Sequence, residues 1–208
     1  MYNTNDWCWI ANALNESECN KVQSLAENKW QRSVVRTNLA GPTILGVNDD
    51  IRRSDIVWTA NEWLQNKIWP LMVAANEQSG WKYDIKKIEG MQITRYRKGE
   101  YYNFHRDGRG DNLAANGGFV RKLSMTVLLN DGYEGGNFQF AQINNGKIKI
   151  DTPDFNGKQG SMVMFPSDMD HRITPVTKGT RYSLVVWFLG PPLNDIPYTL
   201  DIICIHLL

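Results

Sequence analysis

Cysteine and histidine are both scarce in this chain of 208 residues, which has three of each. Cys8, Cys19 and Cys204 form no Cys-x-x-Cys pair, and an odd number does not suggest a disulfide framework. A reducing, cytoplasmic setting is the expectation, with the three thiols as packing residues. Long apolar runs are missing too. None approaches the roughly 18–20 residues a membrane span needs, and the N-terminus shows no charged stretch leading into an apolar one. The closing run IICIHLL (202–208) is too short to span a bilayer and reads as packed on the domain or at a subunit contact. Nor does one sign of charge dominate. Lys and Arg total 23 against 22 for Asp and Glu, which argues against nucleic acid or an anionic membrane as a general partner and leaves only local basic patches.

What is present suits one globular domain, since 42% of the residues are hydrophobic and the length supports a substantial core. Asn15 and Glu18 have capping-box spacing, and Cys19, Val22, Leu25 and Ala26 follow at helical intervals, so a helix is predicted over 16–29. A second helical region starts near Thr59 with Trp63, Leu64 and Ile68 on one side; Pro70 should kink or divide it, because proline supplies no backbone N–H. From residue 88 the pattern becomes short β-like runs at 90–97, 101–106, 122–129, 136–142, 147–150, 160–165, 170–174 and 181–189, separated by Gly-, Asn- and Pro-rich turns. Eight short strands after two helices fit a mostly β, two-sheet jelly roll backed by helices.

The residues that could carry chemistry are few enough to name. In a strand, residues two apart share a face, so His105 and Asp107 can aim an imidazole and a carboxylate at one point. Alone, such a pair is more often a solvated strand end. His171 is the candidate third ligand, because two histidines and a carboxylate make the facial triad of non-haem Fe(II) oxygen chemistry. His206, in the apolar tail, reads as a packing or surface residue. Alternation puts Arg181 on one face with Ser183, Val185 and Trp187, and Leu184, Val186 and Phe188 on the other. An inward arginine requires an anion, either a bound carboxylate gripped through two parallel hydrogen bonds or an acidic side chain.

Several stretches, in order, resemble the Fe(II)- and 2-oxoglutarate-dependent dioxygenases, specifically their prolyl 4-hydroxylase-like branch. They are QITRYRKGEYYNFHRD (92–107), RKLSMTVLLND (121–131) with YEGGNFQF (133–140), and FPSDMDHRITPVTKGTRYSLVVWF (165–188); IRRSDIVW (51–58) resembles a stretch ahead of that family's core. The resemblance implies a cupin-like double-stranded β-helix over 88–191, with 1–87 as helical support and 192–208 as a tail. It implies His105, Asp107 and His171 as the catalytic, iron-binding residues. Arg181 would hold the distal carboxylate of 2-oxoglutarate, with Tyr96 and Trp187 lining the same pocket. Leu128 stands where some relatives have a second cosubstrate-binding tyrosine. The implied reaction uses Fe(II), 2-oxoglutarate, O2 and, as a candidate reductant, ascorbate. It yields succinate, CO2 and a hydroxylated peptide or protein, with proline as the target residue. Halogenases of the superfamily carry a small residue in place of the carboxylate ligand, so Asp107 points to hydroxylation. Lysyl or small-molecule hydroxylation, or a non-catalytic jelly-roll binding module, are the alternative readings.

Other features have plainer readings. The Gly- and Asn-rich segment 106–119 is a lid or a flexible connection, and the RGD at 109–111 is a coincidental tripeptide. Asn15-Glu16-Ser17 satisfies a glycosylation pattern, without a route to modification. Tyr101 and Tyr102 could line a peptide groove or be half-buried strand residues. Trp58, Trp63 and Trp69 read as core residues packing helices against a sheet.

Overall fold

The computed structural model describes residues 2–3, 6–36, 45–108 and 116–192. At its centre the strand Thr180–Gly190 is hydrogen-bonded to Val120–Leu128 on one side and to Lys87–Arg97 on the other. Alternation sorts its side chains as the sequence predicts. Leu184, Val186 and Phe188 are fully buried in the larger apolar core, while Arg181, Ser183, Val185 and Trp187 line a cavity on the opposite face. Met91 and Ile93, in register with Val186 and Leu184, continue the apolar face.

Two helices cover that face. Asn15 caps Glu16–Ser24 with the capping box its spacing predicts. The helix stops five residues sooner than expected: Leu25, Ala26 and Glu27 switch to bonds with the carbonyls three residues back, and Asn28 takes φ +59. In Glu62–Gln78, capped by Asn61, the residues Leu64, Ile68, Met72 and Ala75 fall on one buried stripe. Pro70 does not divide this helix. It lies on the exposed side, next to solvent that can take the backbone bond it removes.

The large sheet has eight strands, in the order Tyr2–Asn3, Cys8–Ile10, Met162–Pro166, Val120–Leu128, Thr180–Gly190, Lys87–Arg97, Asp55–Thr59, Gln31–Arg32. A five-stranded sheet faces it, ordered Lys147–Asp151, Phe138–Asn144, Asp170–Ile173, Tyr101–His105, Arg52–Arg53. Phe138, Phe140 and Ile173 of the small sheet meet Leu128, Val163 and Phe165 of the large one in a second apolar core. The architecture is therefore mostly β, with two helices among the described residues. The segment before residue 88 is not helical throughout, because its short strands extend both sheets. Within IRRSDIVW the chain crosses from the small sheet at Arg52–Arg53 to the large one at Asp55–Thr59, and so closes one side of the cavity.

All eight predicted strands form, and a short pair that the turn signals hid joins Glu134–Gly135 to Val176–Lys178. Gly135 and Gly136 make that contact possible. Both have positive φ, and a Cβ on Gly135 would come within 2.4 Å of the Pro175 carbonyl oxygen, one on Gly136 within 2.9 Å of the Arg181 Cδ.

Candidate metal centre

His105 ends the strand Tyr101–His105, and the antiparallel register sets it directly opposite His171 of Asp170–Ile173. Asp107 follows in the turn, where Gly108 N–H donates to the Ser167 carbonyl (2.7 Å) and Arg121 donates to the Asp107 carbonyl (3.2 Å). The three side chains thus offer ligand atoms that all lie within 4.8 Å of one another. His105 Nε2 is 3.6 Å from Asp107 Oδ1, and His171 Nε2 is 3.6 Å from Oδ2.

The rings are oriented from behind. His105 Nδ1 lies 2.8 Å from the Asn103 carbonyl oxygen and His171 Nδ1 2.9 Å from that of Met169. A carbonyl can only accept, so Nδ1 carries the proton and each Nε2 turns a lone pair towards Asp107. Tyr102 stacks on His105 with ring centroids 3.5 Å apart, and Phe138 lies nearly parallel to His171 at 5.3 Å. Burial, then the neighbouring His171, pushes the His105 pKa down to about 3, which keeps the imidazole neutral. Burial alone would raise Asp107. His171, His105 and Arg121 outweigh it, helped by the Ser124 hydroxyl, and bring the carboxyl to about 2. Two imidazoles and one ionised carboxylate are the donor set a divalent iron takes, and the separations leave room for a cation between them.

Arg181 is fully buried in the same cavity. Its Nη1 donates to Ser183 Oγ at 2.9 Å, its guanidinium carbon is 5.6 Å from the Tyr96 ring centroid, and Nε and Nη2 have no hydrogen-bond partner among the described residues. The salt bridge to an acidic side chain, left open by the sequence, is not formed among the described residues. Towards the other end, Trp187 lies against Trp58 (5.7 Å) and under the Arg121 guanidinium (4.2 Å), which is itself paired with Glu89. Leu128 is buried between the sheets, in the same cluster as Tyr96.

Sequence reasoning missed other cavity residues: Arg52, Gln92, Thr126, Phe138 and Ile173. Periodicity could have found Thr126 and Phe138 as inward strand positions; no signal marked Arg52 as inward, because its strand is two residues long. Tyr102 lines the cavity, and burial raises its phenol to about 12. Trp58 corrects an expectation. It is 52% exposed rather than in the core, because it lies on the strand Asp55–Thr59 and not on the helix, at a level where the neighbouring strand Gln31–Arg32 has ended. Trp63 and Trp69 do pack on the core beneath the helices, and Cys8 and Cys19 are buried free thiols. The RGD, much of the 106–119 segment, Cys204, His206 and the apolar tail lie outside the described residues. Among the described residues, no helix is long and apolar enough to cross a membrane.

Comparison with known proteins agrees with this geometry. The family described as the 2OG-Fe(II) oxygenase superfamily matches residues 91–189. A PKHD-type hydroxylase of Synechococcus sp. (strain CC9605) is 35% identical over 105 residues, covering 50% of this chain and 43% of its own length. The chain thus matches less than half the length of that relative. A prolyl-4-hydroxylase structure from Pseudomonas putida superposes with TM-score 0.63 at 19% identity, covering 89% of this chain and 92% of that one. A Trichoplax adhaerens prolyl hydroxylase, solved with a fragment of hypoxia-inducible factor, gives 0.64 at 22%, covering 89% and 84%. These two likenesses establish a shared fold. The segment 91–189 that matches the 2OG-Fe(II) oxygenase superfamily spans the two sheets and all three clustered side chains.

Proposed function

We propose that this protein is an Fe(II)- and 2-oxoglutarate-dependent dioxygenase that hydroxylates a peptidyl substrate, with a prolyl residue as the target. The observation that carries the reading is the coincidence, in one cavity, of the His105, Asp107 and His171 donors with a buried guanidinium that lacks an anion. The two facing sheets act as a double-stranded β-helix core over 88–191, with 1–87 and the tail as support. The cytoplasm is the setting assigned from the thiols.

Each residue has a defined task. His105, Asp107 and His171 hold the iron, their Nδ1 bonds and ring stacking keeping the Nε2 atoms aimed. Arg181 receives the distal carboxylate of 2-oxoglutarate on its unpartnered Nε and Nη2, while Tyr96 and Ser183 fix the guanidinium. Trp187 shields the metal side of the cavity from water. Bound together, Fe(II), 2-oxoglutarate and O2 supply the oxidising power: one oxygen atom enters the substrate, the other enters succinate, and CO2 leaves. Ascorbate serves as a reductant that maintains ferrous iron.

The test is to incubate the protein with Fe(II), 2-oxoglutarate, ascorbate and proline-containing peptides in air. Succinate should appear in step with peptide that has gained one oxygen atom. Iron bound without any succinate would contradict the reading and leave a jelly-roll binding module.

A further inference from the structure

Two arginines among the described residues are more than nine-tenths buried, Arg181 at 0% and Arg52 at 7% exposure. Both line the same cavity, and neither forms an ion pair with another described residue. The other arginines near the cavity are neutralised: Arg121 by Glu89, Arg106 by Asp170, Arg95 by Asp55. Arg52 instead spends its bonds on neutral oxygens, Nε donating to Ser54 Oγ (2.8 Å) and Nη2 to Gln92 Oε1 (2.9 Å). Its register partner is Tyr102, in line with Ile173 and Phe138 on the inner face of the small sheet, so its side chain crosses the cavity towards the large sheet. There its guanidinium carbon lies 4.6 Å from the Tyr102 ring, whose other neighbour is His105.

A guanidinium this buried, with no carboxylate, costs several kcal/mol unless an anion arrives. The proposed cosubstrate would not supply that anion, because Arg181 would take one of its two carboxylates and the divalent metal, the largest charge in the site, would take the other. Asp107 is likewise committed to the metal. Arg52 is left over. Resting on the function proposed above, we infer that Arg52 holds a carboxylate of the molecule being hydroxylated, so that the cavity selects substrates carrying one close to the reacting carbon. That carboxylate comes either from an acidic residue beside the target residue or from the α-carboxylate of a terminal or free amino acid.

The test uses the protein loaded with Mn(II) and 2-oxoglutarate, which binds without turnover. Two matched pairs of probes are titrated: N-acetyl-Asp-Pro-amide against its Asn counterpart, and N-acetylproline against its amide. Broadening of the probes' proton resonances by Mn(II) reports both affinity and closeness to the metal. In at least one pair the acid should bind about tenfold or more tightly than its neutral partner, as expected for a charge-assisted bond. The pair that shows the difference identifies the source of the carboxylate. Arg52→Gln should abolish the difference, and Arg52→Lys should retain part of it. A purely structural strut between Ser54 and Gln92 would not discriminate acid from amide, and the comparison in the unmodified protein needs no variant to fold. Equal binding within both pairs, including no binding by any probe, overturns the inference, as does a preference that survives Arg52→Gln. Titration of 2-oxoglutarate into the same samples separates the failures. Normal 2-oxoglutarate binding without acid preference sinks this inference alone, whereas no 2-oxoglutarate binding sinks the proposed function and this inference with it.

Discussion

His105 shows how burial would prepare the proposed ligand before any metal arrives. Its pKa of about 3 in the fold lies well below the 6.5 of a free imidazole, so the unfolded chain binds the proton more readily. The resulting stability is fully present above pH 6.5 and is lost as pH falls towards 3. Asp107 adds a second loss, of the same sign, as pH falls from about 4 to about 2. In urea unfolding of the metal-free protein, the His105 contribution should fall by up to about 1.4 kcal/mol per pH unit below 6.5. His105→Asn should flatten the profile between pH 6.5 and 4. Arg181 makes the opposite bargain, since a buried charge without an anion destabilises the ligand-free fold. Arg181→Met should therefore raise the melting temperature of the ligand-free protein, by roughly 1–4 kcal/mol in stability, while weakening 2-oxoglutarate binding by about 100-fold or more in calorimetry. At this scale the sequence was informative wherever spacing carries meaning. His105, Asp107, Arg181 and Trp187 were legible from alternation and from motif. Arg52 was not, because a residue on a two-residue strand has no periodicity to reveal which way it faces.

At the scale of the elements, the strand Thr180–Gly190 serves both core and site, and the two functions separate by face. Leu184→Ala removes buried atoms from the helix side and should cost roughly 2–5 kcal/mol in unfolding free energy, with little change in metal affinity. Gly136→Ala acts on the other face. Its φ of +59 and the 2.9 Å approach to the Arg181 Cδ mean that an added methyl must strain the backbone or shift the guanidinium. It should cost roughly 1–3 kcal/mol of stability and weaken 2-oxoglutarate binding as well, which paired thermal and calorimetric measurements would detect. Strand positions and the capped start of the first helix could be read from the sequence, because alternation and capping are local; the second helix starts at Glu62, capped by Asn61, and not near Thr59. The early end of the first helix and the exposure of Trp58 could not, since the first is decided by bonds made just beyond the helix and the second by where a neighbouring strand stops.

For the molecule as a whole, the two sheets act as one clamp. The large sheet brings Arg181 and Tyr96, the small one brings both histidines, and the segment 51–58 ties them together along one side. A metal that binds this folded arrangement and not the unfolded chain must stabilise it, by about 2.7 kcal/mol at a hundredfold excess over its dissociation constant. Adding Mn(II) should raise the melting temperature, and a chelator should reverse the gain. The order of motifs made the family resemblance legible from sequence, yet the meeting of the two sheets, and with it the presence of a second buried guanidinium, depends on contacts between residues far apart in the chain.

The most direct test of the central claim is an anaerobic calorimetric titration of Fe(II), followed by 2-oxoglutarate, into the metal-free protein and into Asp107→Ala and His171→Ala. The account predicts one Fe(II) per chain, 2-oxoglutarate binding that appears only once the metal is bound, and a metal affinity weakened by more than about 100-fold in both variants. Fe(II) binding that is absent, or that survives unchanged in the two variants, would contradict it.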